Sequence, residues 1–215
     1  MSMVKIRAAL ETQLQTIAPI LPDAALASVG TGPNSVFTTT TPHGLVNGLL
    51  VRLPGYTGGT PALQGLYYVV VTGTNTFYLQ NSATKSGIAV IIPGSGGVVS
   101  AYLTAEENVL FQIVQGVPYQ MLNIVPFKPN EPTQGPGFYQ DHGLFQVTLV
   151  YPVGVGLTAI LARAELIRQG FKKGSTFLNN GVTVTIMDTP EFGRLGTTDN
   201  LMLPVKIGYS ANIFN

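Results

Sequence analysis

Apolar residues recur at three- and four-residue spacing along the first turns of the chain: Met3, Ile6, Leu10, Leu14 and Ile17. That spacing places them on one face of a helix of about four turns, which Ser2 can cap and Pro19 and Pro22 end. From residue 24 the pattern changes to short β-branched and aromatic runs separated by turn residues: "SVFTTT", "LLVRLPG", "LYYVVVTG", "NTFYLQ", "IAVIIPG" and "GVVSAYL". Such runs predict a small all-β module, a barrel or a sandwich. Beyond residue 105, residues 117–126 and 144–152 read as strands. Between them, 127–141 holds three prolines and two glycines, a long connection for the inside of a compact domain. Leu157, Ile160, Ala164, Ile167 and Phe171 form the apolar stripe of a second helix over 157–174. Lys172 and Lys173 complement its C-terminal dipole, and Gly174 can take the left-handed closing position. Residues 181–188 and 201–214 predict two final strands, with Pro204 placing the last one at an edge or delaying its start.

This order predicts an α+β fold: an antiparallel four-stranded sheet with two helices on one face, plus an inserted all-β barrel or sandwich module. The core takes residues 1–23 and 105–215, and the module takes 24–104.

Charge sharpens the boundary. Only 10% of the 215 residues are charged, well below the usual quarter. Residues 24–105 contain two charged side chains, Arg52 and Lys85, and no acid. So charge-poor a surface predicts a chain that buries part of it in an assembly. The net charge of +1 gives no long-range steering toward nucleic acid or anionic lipid. With no cysteine, disulfides and thiolate metal sites are excluded. Lys5, Arg7 and Glu11 interrupt the apolar N-terminal residues, so no secretion signal is expected. No run of eighteen apolar residues predicts a membrane span. The expectation is a soluble chain made in the cytoplasm.

Candidate chemistry is thin, and no enzyme is expected. The imidazoles are His43 and His142, and no serine sits in a G-x-S-x-G turn. His43, between Pro42 and Gly44, reads as a turn residue. Asp141 adjoins His142 at the mouth of a strand, where neighbouring side chains point to opposite faces. Asp23, Glu106, Glu107, Glu131, Asp141, Glu165, Asp188, Glu191 and Asp199 show no pairing pattern for acid–base work. No catalytic, cofactor-binding or metal residue is therefore assigned. Interface candidates remain. Arg168, Lys172 and Lys173 form either a solvated helix end or a contact to a partner subunit or to DNA. Phe127, Phe138 and Tyr139 either anchor a partner or staple their own loop. Lys128, Glu131, Asp141 and His142 complete the set.

The segments "KIRAALETQL", "NVLFQ", "VPYQMLNIVPFKPNEPTQGPGFYQDHGLFQVTLVYPVGVG" and "ARAELIRQGFKKG" resemble the tail terminator (tail completion) proteins of long-tailed bacteriophages. The shared order is a leading helix, a strand opening at Pro118 and Tyr119, and the Pro-rich loop 127–141. Then follow a strand from Gly143 to Pro152, a helix ending in Lys172 to Gly174, and Gly181 to Ile186. The resemblance covers about residues 1–22 and 106–215. It implies a virion structural protein without a cofactor that forms a homo-oligomeric ring, a hexamer in the family, at the head-proximal end of the tail tube. Its implied partners are other copies of itself, the tail tube protein and a head–tail connector or stopper protein. DNA could pass through the lumen without sequence recognition, and no membrane is involved. Localisation follows as the head-proximal tail of the virion, assembled in the host cytoplasm. The inserted stretch is similar to small β modules of phage virion proteins, in which P-H-G-L and a following G-x-x-V recur. Alternatives are another neck or connector component, or a host- or glycan-binding protein acting through the module.

Overall fold

The computed structural model describes residues 2–81, 83–107, 111–131, 137–154, 156–197 and 199–214. Two compact units form, one from Met1–Ala18, Thr104–Phe111 and Gln115–Asn215, the other from Pro19–Leu103 and Gln112–Val114. With 44% strand against 14% helix, the protein is mostly β, which corrects the expected α+β fold.

The chain opens with α1 (Ser2–Thr16). The smaller unit holds β1 (Ala24–Val29), β2 (Val36–Thr39), β3 (Leu50–Arg52), β4 (Tyr67–Val71), β5 (Thr76–Asn81) and β6 (Val98–Ala101). They close into a barrel in the order β1-β2-β5-β4-β3-β6, with β6 returning to β1. Closure leaves no open sheet edge. Phe37, Val51, Val69, Phe77 and Leu79 are fully buried inside it, and the rings of Phe37 and Phe77 stack at 5.5 Å. His43 is buried: its Nδ1 accepts the Leu45 N–H at 3.0 Å, which leaves the hydrogen on Nε2, facing the Thr76 carbonyl at 3.5 Å. Two details depart from the sequence pattern. The alanine-rich β1 lacks a clear alternation, and its register breaks between Leu26 and Ser28. The run "IAVIIPG" is no strand, because Val90 and Ile92 make only isolated bridges, to Gly32 and Thr60.

In the larger unit, β7 (Thr104–Ala105), β8 (Tyr119–Pro126) and β9 (Phe138–Pro152) precede α2 (Thr158–Gly170). After it come β10 (Thr176–Asn179), β11 (Val182–Ile186), β12 (Glu191–Phe192), β13 (Gly196–Thr197) and β14 (Asn200–Phe214). The expected four-stranded antiparallel sheet with two helices on one face is overturned. The sheet has eight strands, its main path runs β10-β11-β14-β9-β8-β7, and β7 lies parallel to β8. The sheet curls, with α1 against β10 and β11, and α2 against β9 and β14.

The reasons for the difference are local. Strand β9 begins at Phe138, so Phe138 to Asp141 belong to a strand and not to the connecting loop; residues 132–136 of that loop lie outside the described residues. Asn180 and Gly181 carry φ of 46° and 81°, the left-handed pair of a tight hairpin, and create β10. Two-residue strands such as β12 and β13 are too short to leave a period in the sequence. Pro204 sits inside β14 and not at a sheet edge. Its carbonyl accepts the Gly193 N–H at 2.7 Å, so its missing N–H faces the same side, away from β9 and into the break between β12 and β13.

Helix α1 buries Ile6, Ala9, Leu10 and Leu14. Helix α2 buries Ile160, Ala164 and Ile167, followed by Phe171, whose ring meets Phe145 at 6.1 Å and Phe177 at 5.6 Å. Leu157 does not belong to that stripe: it precedes the helix and is 45% exposed. The helices approach closely at Gly170, where an added Cβ would lie 2.5 Å from Ile17 Cδ1, and Gln13 Nε2 donates to the Gly170 carbonyl at 2.9 Å.

One cation lies within the stripe itself. Arg163 is 5% exposed and donates to the Ala18 carbonyl, beyond the end of α1, and to Gln120 Oε1 on β8 at 3.0 Å. Gln120 in turn donates to Thr104 Oγ1 on β7 at 3.0 Å. Burial pushes the Arg163 pKa down and nearby Tyr151 partly opposes this, but a guanidinium stays charged. Asp141 is the buried acid of the sheet. It accepts Ser2 Oγ at 2.7 Å, at the start of α1, where the helix dipole favours negative charge. Burial first, and the Asp141 charge second, push the Tyr209 phenol up to about 12.

Two outcomes follow from these buried groups. Arg163→Ala leaves the Ala18 carbonyl and Gln120 without their donor above a new void, and is expected to cost about 2–4 kcal/mol in denaturant unfolding. Arg163→Met refills the volume but leaves the same two acceptors without a donor, and is expected to cost about 1–3 kcal/mol, less than the alanine variant by the contribution of the void; equal losses for both would show that volume is irrelevant. The Tyr209 pKa is raised on folding, so its contribution is whole below pH 10 and lost as pH rises toward 12. Unfolding between pH 9 and 12 should show that loss in the native chain and a weaker dependence in Tyr209→Phe; identical profiles would refute it.

Candidate functional site

Strands β9 and β14 are paired in register along all fifteen residues. Alternation then sorts their side chains. On the covered face Phe145, Val147, Leu149, Val205, Ile207 and Tyr209 are buried. The opposite face carries His142, Leu144, Gln146 and Thr148 from β9 and Met202, Pro204, Lys206 and Gly208 from β14, with Val125 of β8 opposite Leu144. Lys206 is the single charge in that set.

A groove of about 890 Å³ crosses this face. Its floor includes His142, Leu144, Gly208 and Ser210; Phe127 to Glu131 form one wall, and Met187 and Asp188 the other. The first wall is held by the backbone: Phe127 N–H donates to the His142 carbonyl at 2.9 Å, and Asn130 and Gln140 exchange bonds of 2.9 and 2.8 Å. The Phe127 ring meets His142 edge-on at 5.8 Å. On the second wall Ser210 Oγ donates to Met187 Sδ at 3.0 Å. Gly208 leaves the floor open, whereas Gly143 is required sterically, since a Cβ there would lie 2.4 Å from the Val125 carbonyl oxygen. His142 Nδ1 is buried with no hydrogen-bond partner among the described residues.

The candidate residues divide between the two faces. Phe127, Lys128, Glu131 and His142 come together at the groove. Phe138 lies on the same face farther along, its ring 5.1 Å from Phe214. Tyr139 and Asp141 point the other way; the Tyr139 hydroxyl donates to Ser2 Oγ at 3.3 Å. The three basic residues separate. Arg168 pairs with Glu165 and lies 4.7 Å over the Phe192 ring, and holds the exposed Glu165 carboxylate below its usual pKa. Lys173 reaches Asp188 at 3.8 Å, an exposed pair of little stabilising effect. Lys172 is exposed, with no ion pair among the described residues. Met187, Asp188 and Gly208 are site residues that sequence reasoning misses, because only the register of β14 brings them to the groove. Arg163 is missed too, although a charge three residues after Ile160 in an apolar stripe is a readable signal.

Among the described residues, no group of three or more His, Cys, Asp or Glu could hold a metal ion, and no helix is long and apolar enough to cross a membrane. The surface can offer shape, apolar area and a few rim charges. A solved chain is similar at 22% identity over 52% of this chain and 79% of its own length, with a TM-score of 0.43. No curated protein matches. The family model for phage tail terminator proteins matches residues 88–209, from inside the barrel ahead of β6 to the middle of β14. Since that match takes in more than half of its residues, the chain belongs to the phage tail terminator proteins.

Proposed function

We propose that the chain forms a closed ring, of six subunits, at the head-proximal end of the tail tube. There it ends tube polymerisation and joins the tail to a head connector or stopper protein. The observation that carries this reading is the outward face of β9 and β14, long, regular, nearly uncharged and grooved. A charge-poor face of this kind is suited to burial against another protein. A ring needs two different patches on each subunit, and closure limits growth where an open arrangement would give a fibre. In this reading the tube protein contacts one end of the ring and the connector the other, DNA passes through the lumen without being read, and the chain has no catalytic task. The barrel over residues 24–104 is a decoration outside the ring contacts; its closed sheet offers no edge to a neighbour.

Light scattering of the purified chain, alone and mixed with purified tail tubes, checks this. The expected result is a species of six subunit masses, and the same stoichiometry in a variant lacking residues 27–102. A monomer under both conditions overturns the ring, and an insoluble deletion product overturns the decorative barrel.

A further inference from the structure

The outer side of α2 carries a second apolar surface. Leu157 and Leu161 are 45% and 46% exposed, and with Glu165 and Arg168 they follow the i, i+4, i+8, i+11 spacing of one helical stripe. Lys172 continues that line just beyond the helix. The buried residues of α2, Ile160, Ala164 and Ile167, face β9 and β14, and at about 100° per residue the exposed stripe lies roughly a quarter turn round the helix from them, on the flank where Arg168 covers Phe192 of β12. The groove lies on the sheet's other face. Each larger unit therefore presents two unlike surfaces in different places, which is what a head-to-tail contact between copies requires.

Charge and spacing agree between the two surfaces. Glu131 on the groove wall and Lys172 have no ion pair among the described residues and carry opposite charge. From Leu161 to Gly170, the last helical residue, α2 rises about 14 Å, and Lys172 lies two residues farther. Glu131 follows Asn130, which is bridged to Gln140. From Gln140 to Leu144 or Gln146 a strand advances about 13–20 Å. A helix laid along β9 with Lys172 at Glu131 therefore sets Leu161 on Leu144 and its cross-strand neighbour Val125, which is 40% exposed.

We propose that the outer stripe of α2 in one copy seats in the groove of the next, with Lys172 against Glu131 and Leu161 on Val125 and Leu144. This rests on the ring reading above and names its subunit contact. Exposed apolar side chains supply the attraction, and the charge pair fixes direction along the strand.

Two experiments test the contact. At low salt, Glu131→Lys and Lys172→Glu are each expected to weaken assembly about tenfold, and the double exchange to restore most of it. Both side chains are exposed, so folding is not at risk. A double variant no better than either single, or singles that assemble like the native chain, overturns the pairing. The chain has no cysteine, so Leu161→Cys with Leu144→Cys gives a clean cross-link. Under mild oxidation the doubly substituted chain should form a covalent ladder, and a mixture of the two single variants only dimers. Native chain that assembles while the cysteine pair stays uncoupled sinks this contact and leaves the ring intact; native chain that never assembles sinks the ring itself.

Discussion

The fifteen-residue ladder between β9 and β14 is the constraint on which the larger unit depends. Its register fixes every second side chain to the covered face and every other to the open one, and a slip of one residue would exchange the two sets. Phe145, Val147, Leu149, Val205 and Ile207 can be buried under α2 only in this register. The same register places Gly208 beside Leu144 and Ser210 beside His142, which opens the groove floor. Core and candidate surface are thus two consequences of one pairing. Strand β14 can hold this position because Pro204 turns its missing donor toward the break between β12 and β13, where no ladder bond is lost.

Around that ladder the polar interior is sparse and specific. Arg163 ties the end of α1, helix α2 and β8 through one guanidinium. Asp141 fixes the start of α1 through Ser2. Buried groups of this kind contribute less through net energy than by being costly to leave unpartnered, so they select one placement of the helices over others. Sliding α1 by one turn would take the Ala18 carbonyl from the guanidinium and the Ser2 hydroxyl from the carboxylate.

Both helices and the four longest strands of this unit were legible in the sequence, because Ile6, Leu10 and Leu14 or Val147, Leu149 and Tyr151 keep an unbroken period. The sheet's true extent was not. Residues Thr176 to Asn179 follow a basic helix end and look like its tail until the Asn180–Gly181 turn is weighed, and Glu191–Phe192 and Gly196–Thr197 exist as strands only because β14 offers them an edge. The start of β9 was hidden by the proline-rich residues before it. Of the site, Phe127, Glu131 and His142 could be read as interface candidates from their loop and strand context. Their grouping with Met187 and Gly208 could not, since it depends on pairing across sixty residues of sequence.

A tail terminator assignment joined to a nearly uncharged, grooved sheet face fits a structural part of the phage tail, and the proposed role rests on burial of that face between copies. That role has a direct consequence for tail length. Electron microscopy of particles from phage lacking this chain measures it: tails should run past the normal length and remain detached from heads, whereas tails of normal length joined to heads would contradict the role.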